Sequence, residues 1–118
     1  MEFHLDANGT DGTRPLLYMW EIHDAQTGEL RGRYVGKAVR GSRRPRNHYA
    51  RNVRRLLASL PYRKGNPDGF RKVHRALATA VLKGDRITLT LLRNVGAEED
   101  INEAERATIE ATGCTLNG

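Results

Sequence analysis

The chain has 118 residues, of which 38% are hydrophobic and 29% charged, and its formal net charge at pH 7 is +6. These proportions are typical of one folded globular domain and exclude an intrinsically disordered chain. The longest apolar runs, LLYMW and ALATAVL, are too short to cross a bilayer. Because no signal-peptide pattern is visible and Cys114 is the only cysteine, we expect a cytoplasmic protein without disulfides or membrane contact.

The positive charge is concentrated in one part of the chain. Residues 31–75 hold 15 of the 20 lysines and arginines and a single acid, Asp68. Residues 97–110 are instead acidic, with six carboxylates and one arginine. Like charges at this density repel one another, so the basic block favours an anionic partner. Nucleic acid is the first candidate, because neutralising phosphates releases counterions; a membrane surface or an acidic protein is the weaker alternative.

The N-terminal third predicts an arm followed by a hairpin. Residues 1–14 contain Asn-Gly and Asp-Gly pairs and few apolar residues, which predicts a flexible arm preceding one domain over 15–118. The apolar run 16–22 and the run 33–38 each predict a strand, separated by turn residues at Asp24 and Gly28. The two strands are expected to form an antiparallel hairpin with a long loop.

A basic helix is predicted from Ser42, as its N-cap, to about Leu60, with Pro45 tolerated in its first turn. Its apolar residues recur at helical spacing and form the predicted core stripe: Tyr49, Val53, Leu56 and Leu60. A second row lies roughly 140° around the helix: Arg44, His48, Arg51 and Arg55. The histidine therefore stands among arginines, away from the core stripe.

The remaining chain predicts a helix over about 70–83, a strand over 86–92 and a helix over about 101–112. The first of these helices is expected to bury Phe70, Val73, Leu77 and Val81 and to turn Arg71, Lys72 and Arg75 outward. The last begins at Asp100, with Glu103 in a capping-box pattern, and ends at Gly113. The predicted fold is α+β: a small three-stranded antiparallel sheet flanked by about three helices, in the order ββααβα.

Glu105 is the most unusual residue of the last helix. Ile101 and Ile109 flank it at i−4 and i+4, so a carboxylate shares a face with the two isoleucines. One interpretation is a carboxylate at the rim of the apolar stripe that reaches water or an arginine of the basic helix. The other is a ligand for a divalent cation facing the basic surface. Tyr18, Tyr34, Lys37 and His48 taken singly have equally ordinary structural explanations.

Taken together, these residues resemble the GIY-YIG nuclease family. LLY at 16–18 is similar to the first strand motif, and YVG at 34–36 is similar to the second. The longer string YVGKA resembles the excision-repair members of the family, which includes the lysine matched by Lys37. The resemblance implies a metal-dependent endonuclease that hydrolyses phosphodiester bonds in DNA, with RNA not excluded.

The later motif positions follow in the same order. Arg44 and His48 match an arginine and a histidine or tyrosine one helical turn later. Glu105, in the setting E-x-x-x-I, matches the metal-binding glutamate, and Asn117 matches a closing asparagine. The resemblance covers about residues 15–118 and implies seven catalytic positions: Tyr18, Tyr34, Lys37, Arg44, His48, Glu105 and Asn117.

The chain departs from the family pattern at three points. Leu16 replaces the glycine of the first motif, and the two tyrosines are 16 residues apart, which leaves room for added contacts in the loop QTGELRG. Pro45 disfavours helical geometry at Arg44, so Arg40 or Arg43 is an alternative catalytic arginine. Target specificity is expected to come from this loop, from a partner protein or from a homodimer.

The resemblance also implies roles. Mg²⁺ or Mn²⁺ is expected to bind Glu105 and a substrate phosphate. Tyr18 is expected to accept the proton of the attacking water, assisted by His48 or Tyr34, while Arg44 and Lys37 stabilise phosphoryl charge. Further cations are expected to hold the nucleic-acid backbone without reading sequence: Arg43, Arg46, Arg51, Arg55, Lys72 and Arg75. The alternative is a non-catalytic DNA- or RNA-binding module of the same fold.

Overall fold

The computed structural model describes residues 1–118 and contains four strands and three helices. In chain order these are β1 (His4–Asp6), β2 (Leu16–His23), β3 (Leu30–Ala38), α1 (Arg43–Leu57), α2 (Lys72–Lys83), β4 (Arg86–Asn94) and α3 (Ile101–Thr112). The α+β class and the three predicted helices are confirmed. None of these helices combines the length and apolar character needed to span a bilayer.

The four strands form one mixed sheet in the order β1-β4-β2-β3. β2 is antiparallel to both β3 and β4, as predicted for the three-stranded part. β1 adds to β4 in parallel, with Leu5 opposite Leu89, so the prediction of a three-stranded, wholly antiparallel sheet was wrong. All residues of β1 are exposed. They therefore lack the alternation of buried and exposed positions from which a strand is predicted.

The segment expected to be a flexible arm is bonded to the rest of the fold. The Phe3 ring packs edge-to-face on Trp20, with ring centroids 5.0 Å apart. The Asn8 side chain donates to the Leu92 carbonyl at 3.1 Å, and the Thr10 hydroxyl donates to the Leu91 carbonyl at 3.1 Å. The contacts of Asn8 and Thr10 use polar side chains in a stretch that the sequence assigns to turns, so the sequence pattern did not predict them.

The hydrophobic core lies between one face of the sheet and helices α1 and α2. Its buried apolar side chains alternate along β2 and β4 and recur at helical spacing on α1 and α2: Leu16, Trp20, Ile22, Ile87, Leu89, Leu91, Val53, Val73 and Leu77. Burying a side chain of this size stabilises the fold by about 1.5–3 kcal/mol. This core fixes the position of β2 relative to α1, and both contribute to the cavity described below.

Helix α1 begins at Arg43 and is shorter than predicted. Ser42 makes no side-chain cap; its N–H donates to the Gly12 carbonyl at 2.8 Å instead. The helix ends at Leu57 because Ser59 takes a left-handed conformation with φ of 57°. Leu60 lies beyond this turn and is exposed, so its assignment to the core stripe was wrong.

Helix α2 begins at Lys72, two residues later than predicted. Val73 and Leu77 are buried as expected, whereas Phe70 and Val81 are only partly buried. His74 is fully buried beside Val73, so the inward face is rotated toward the histidine. The helix ends at Gly84, whose φ of 73° is left-handed, as the glycine predicts.

Helix α3 has the predicted boundaries. The Asp100 carboxylate accepts hydrogen bonds from the backbone N–H groups of Asn102 and Glu103, and Gly113 ends the helix with a φ of 63°. Asp100 therefore acts as the predicted N-cap.

The C-terminal end of α3 is attached to the hairpin by Arg33. The Arg33 guanidinium donates twice to Glu21, at 2.7 and 2.9 Å, and also donates to the Thr112 carbonyl. This three-way contact joins β2, β3 and α3. It holds α3 along the free edge of β3, where Glu105 can face the hairpin.

Candidate active site

A cavity of about 640 Å³ opens where the β2–β3 hairpin, α1, α3 and the segment before α2 meet. Its polar and aromatic lining residues are Tyr18, Tyr34, Lys37, Arg40, Arg44, His48, Tyr49, Tyr62, Arg71 and Glu105. Six of the seven predicted catalytic residues are among them, and Asn117 is not. The side chains come from distant parts of the chain and converge on one concave surface, which is the usual form of a ligand site.

The hairpin positions Tyr18 through a glycine on the opposite strand. Tyr18 of β2 pairs with Gly36 of β3, and its ring crosses the position where a side chain would start. A Cβ at Gly36 would lie 2.5 Å from the Tyr18 Cζ and Oη atoms. Tyr34 lies two residues earlier on the same strand, opposite Trp20. The YVG string thus has a physical reason: the glycine makes room for the ring that carries the first hydroxyl.

Helix α1 presents Arg44 and His48 to the cavity one turn apart. Pro45 also lines it and is tolerated because it occupies the first turn of α1. Among the three alternative arginines, Arg40 and Arg44 line the cavity, whereas Arg43 is exposed outside it.

Lys37 connects the hairpin to α3. Its ammonium donates a hydrogen bond to the Asn102 side-chain oxygen and lies 3.9 Å from the Glu105 carboxylate. Asn102 and Glu105 are one turn apart on α3, so a single lysine contacts both. Glu105 therefore contacts the hairpin lysine and lines the cavity. It forms no ion pair with an arginine of α1, which was one of the two interpretations of this residue. Nothing in the sequence pattern marks Asn102, because it lies in the first turn of α3 among capping residues.

Arg71 and Tyr49 are site residues that sequence reasoning missed, as are Tyr62 and Asn102. Arg71 was expected to point outward, but its guanidinium turns inward. It donates to the Tyr34 hydroxyl at 2.9 Å and to the Tyr49 hydroxyl at 3.0 Å. The Tyr49 hydroxyl lies 2.7 Å from that of Tyr18. Tyr49 was assigned to the core, and its ring is buried as predicted, yet its hydroxyl belongs to this polar cluster.

The pKa values of the buried tyrosines are raised, whereas the pKa of His48 is lowered. Burial raises the pKa of the Tyr18 hydroxyl well above its usual value, more than the hydrogen bond with Tyr49 lowers it. The pKa of the Tyr49 hydroxyl is also raised, first by burial and then by Tyr18 and Tyr34. Partial burial lowers the pKa of His48, and Arg44 lowers it further. At neutral pH these tyrosines are phenols and His48 is a neutral imidazole.

His74 does not line the cavity but bonds to the backbone of Arg71, which does. Its ring is fully buried, and burial lowers its pKa to about 4, so it is neutral near pH 7. Its Nδ1 accepts a hydrogen bond from the backbone N–H of Arg71 at 3.1 Å. This bond places the ring proton on Nε2. The buried histidine thus fixes the backbone from which the Arg71 side chain enters the site.

Asn117 takes a structural position beside the site. Its side-chain amide accepts from the Val35 N–H at 3.0 Å and donates to the Val35 carbonyl at 2.7 Å. It therefore continues the hydrogen bonding of the free edge of β3 in the manner of a further strand. Asn117 lines a second cavity of about 400 Å³, which shares Tyr34, Arg71 and Glu105 with the first.

The six cations expected to hold nucleic acid fall into two groups. Arg43, Arg46, Arg51, Lys72 and Arg75 are exposed, and none forms an ion pair. Arg55 differs, because its Nε donates to the Pro61 carbonyl at 2.7 Å and holds the loop after α1. The exposed members leave positive charge available to a ligand, while Arg55 is engaged within the protein.

The residues present fit one kind of metal site. The chain has no cluster of three or more His, Cys, Asp or Glu side chains that could enclose a metal ion. Glu105 is the only carboxylate lining the cavity, and it also lines the neighbouring one. Mg²⁺ commonly binds through one or two carboxylates together with waters and substrate phosphates. A single carboxylate beside several cations is compatible with that mode of binding.

Comparison of the chain with protein-family models, with curated proteins and with solved structures gave no match.

Proposed function

We propose that the chain is a metal-dependent endonuclease of the GIY-YIG type that hydrolyses phosphodiester bonds in DNA. The observation that carries the proposal is the single cavity lined by Tyr18, Tyr34, Lys37, Arg44, His48 and Glu105. These residues were selected from motif order alone, and they come from β2, β3, α1 and α3. A structural role for each would not require them to converge.

The cations of the cavity suit a phosphate group. Lys37, Arg40, Arg44 and Arg71 line it, and Lys37 alone among them is in an ion pair. Donors held in place before substrate arrives stabilise charge that develops on phosphoryl oxygens without a cost of reorganisation. The exposed cations on α1 and α2 extend this positive surface and suit the phosphates flanking the scissile bond.

His48 is the residue best suited to accept a proton from the attacking water. Its lowered pKa keeps the imidazole neutral at pH 7, and a neutral ring nitrogen can act as a general base. Tyr18, our first choice from sequence, has a raised pKa and is a hydrogen-bond donor at this pH. Tyr18 and Tyr34 are therefore assigned to hold phosphoryl or leaving oxygens by donating hydrogen bonds.

Glu105 is the residue that would hold Mg²⁺ or Mn²⁺, and a cation bound there would supply Lewis-acid stabilisation of phosphoryl charge. Lys37 and Asn102 keep the carboxylate side of α3 against the hairpin. Asn117 acts indirectly: its hydrogen bonds with Val35 hold β3, the edge strand that carries Tyr34 and Lys37.

The proposal is tested with purified protein and supercoiled plasmid, short linear or branched DNA duplexes and an RNA duplex, with Mg²⁺, Mn²⁺ or chelator. We expect metal-dependent nicking that Glu105→Gln reduces by more than 100-fold while DNA binding is retained. Glu110→Gln is the matched control, because Glu110 lies on the same helix, is exposed and does not line the cavity. It makes the same change in charge and is expected to nick at the rate of the wild type.

The outcomes separate the possible functions. Equal nicking by the wild type and Glu105→Gln would remove the metal-site assignment. Binding of all duplexes without cleavage of any would support the non-catalytic binding module instead. Cleavage restricted to RNA would keep the chemistry and replace the substrate.

A further inference from the structure

Arg71 fixes the direction of hydrogen bonding among the tyrosines of the cavity. A guanidinium has donors only, so both phenol oxygens that it contacts must accept. Nη1 donates to Tyr34 at 2.9 Å and Nη2 donates to Tyr49 at 3.0 Å. The guanidinium also lies 5.5 Å and 5.6 Å from the centroids of these two rings, so cation–π attraction adds to the bonds.

The hydroxyl of Tyr49 must then donate its own hydrogen elsewhere. Tyr49 is 2% exposed, so water does not offer a ready acceptor. The one acceptor within hydrogen-bond distance is the Tyr18 hydroxyl at 2.7 Å. In the opposite direction the Tyr49 oxygen would accept from both Arg71 and Tyr18, whereas a hydroxyl that already accepts from a cation is polarised and becomes the stronger donor. The bond therefore runs from Tyr49 to Tyr18.

Tyr18 is left with a free hydrogen. Its oxygen accepts from Tyr49, and it makes no other side-chain hydrogen bond within the protein. Because Tyr18 lines the cavity, its free O–H is available to an acceptor that occupies that space. The three groups form an ordered series, here called the Arg71–Tyr49–Tyr18 relay, in which each member donates to the next.

We propose that Arg71 is a positioning residue that acts through Tyr49 to set the Tyr18 hydroxyl as a hydrogen-bond donor to an anionic oxygen in the cavity. The identity of that oxygen as part of a phosphodiester rests on the proposed function, whereas the relay itself does not. The assignment gives Tyr18 a role opposite to that of a base. It also explains why an arginine outside the motif order enters the site.

A purely structural role for Arg71 and Tyr49 predicts a different response of Tyr18 to the loss of the guanidinium. If Arg71 and Tyr49 only fill space, removing the guanidinium would affect the neighbours it touches, Tyr34 and Tyr49, and would reach Tyr18 only through general loosening. Such loosening would not depend on one hydroxyl. The two cases differ in whether the response of Tyr18 to Arg71 needs the Tyr49 hydroxyl.

Nuclear magnetic resonance of protein labelled with ¹³C at tyrosine Cζ measures this dependence, because that carbon reports hydrogen bonding at the hydroxyl. The chain has four tyrosines, so four resonances are expected. Arg71→Met should shift the Tyr18 resonance in the wild-type background and leave it unmoved in the Tyr49→Phe background. Arg75→Met is the matched control, since Arg75 is an exposed neighbour on α2 outside the relay. A Tyr18 shift of equal size in both backgrounds, or none in either, would overturn the relay.

A kinetic arm connects the relay to activity. Tyr49→Phe keeps the ring and removes one hydroxyl, and we expect it to lower kcat for nicking about tenfold with KM little changed. Arg71→Lys, whose ammonium keeps the charge and some donor capacity, should retain more activity than Arg71→Met. Wild-type kcat in Tyr49→Phe would contradict the positioning role. Failure of the wild type to nick would instead reject the proposed function, and the resonance experiment would still decide the relay.

Discussion

The chain carries two charged regions that use their charges differently. In the first, from Arg40 to Arg75, no lysine or arginine takes part in an ion pair. In the second, formed by the β2–β3 hairpin and the segment from the end of β4 through α3, cations face carboxylates. All four ion pairs of the protein belong to this second region: Arg31–Asp24, Arg33–Glu21, Lys37–Glu105 and Arg93–Glu99.

The difference separates charge that maintains the fold from charge that is left for a ligand. The second region, called the paired region below, joins strands to α3 and so determines where Glu105 and Lys37 lie. The like charges of the first region, called the unpaired region below, repel one another, and this lowers stability unless an anion neutralises them. The cavity lies at the boundary of the two regions, where a carboxylate and several cations meet. This arrangement is the basis of our proposal that the cavity binds a phosphate and a divalent cation.

The largest expected effect is on the rate of DNA nicking. It comes from His48, which lines the cavity at the boundary between the two regions. His48→Gln should reduce nicking by about 100-fold or more, because it removes the proposed base. For the wild type, activity should fall as pH is lowered through the pKa of His48, which lies below the ordinary value of about 6.5. His48→Gln should lose this acid limb. Retention of the limb in the variant would assign it to another group.

Arg51 provides an internal control for that pH dependence. It lies outside the cavity, yet its charge contributes to lowering the pKa of His48. Arg51→Gln should therefore move the acid limb to higher pH, while kcat at saturating DNA stays close to that of the wild type because Arg51 is proposed to affect binding rather than the chemical step. An unmoved limb would show that His48 is not the titrating group.

The next effect concerns affinity in the unpaired region. The double substitution Arg46→Gln with Arg51→Gln should weaken binding to duplex DNA about tenfold at moderate salt. It should also lower the slope of log affinity against log salt by about 2, one for each lost phosphate contact. Fluorescence anisotropy over a salt series measures both quantities.

A matched variant from the paired region sharpens this contrast. Arg31→Gln with Arg93→Gln removes the same formal charge, but each of these arginines already faces a carboxylate. Affinity and salt slope should change little. Equal losses in the two double variants would mean that net charge alone, rather than the unpaired surface, governs binding.

The smallest effect is on stability and is confined to the paired region. Arg33→Met breaks the contact among β2, β3 and α3 and leaves Glu21 partly buried without its partner. We expect the free energy of unfolding to fall by about 1–3 kcal/mol, measured by urea denaturation, with the salt slope of DNA binding unchanged. A changed slope with unchanged stability would reverse the roles of the two regions.

Much of this fold follows from local patterns in the sequence. The alternation along β2 and β4 and the helical spacing on α1 and α2 predicted the core, and Asp100 and Gly113 predicted the ends of α3. β1 was missed because its residues are all exposed and its pairing with β4 joins distant parts of the chain. Long-range pairing of so short a strand leaves no periodic signal.

The sequence predicted most of the residues of the candidate site but not the hydrogen bonds that connect them. Motif order identified the residues that line the cavity, including Tyr18 and His48. Arg71 was not predicted because an arginine at the start of a helix is ordinarily solvated, and the sequence does not indicate that the buried His74 accepts its backbone N–H. The choice of base also required the structure, since only burial and the neighbouring arginines decide which group is neutral at pH 7.

The central claim is that this cavity hydrolyses phosphodiester bonds with water as the nucleophile. It is tested most directly by cleaving DNA with Mg²⁺ in ¹⁸O-labelled water and analysing the new terminal phosphate by mass spectrometry. We predict one ¹⁸O atom in each terminal phosphate produced by the wild type, and no product above background with Glu105→Gln. Cleavage without ¹⁸O in the terminal phosphate, or labelled product at equal yield from Glu105→Gln, would contradict the account.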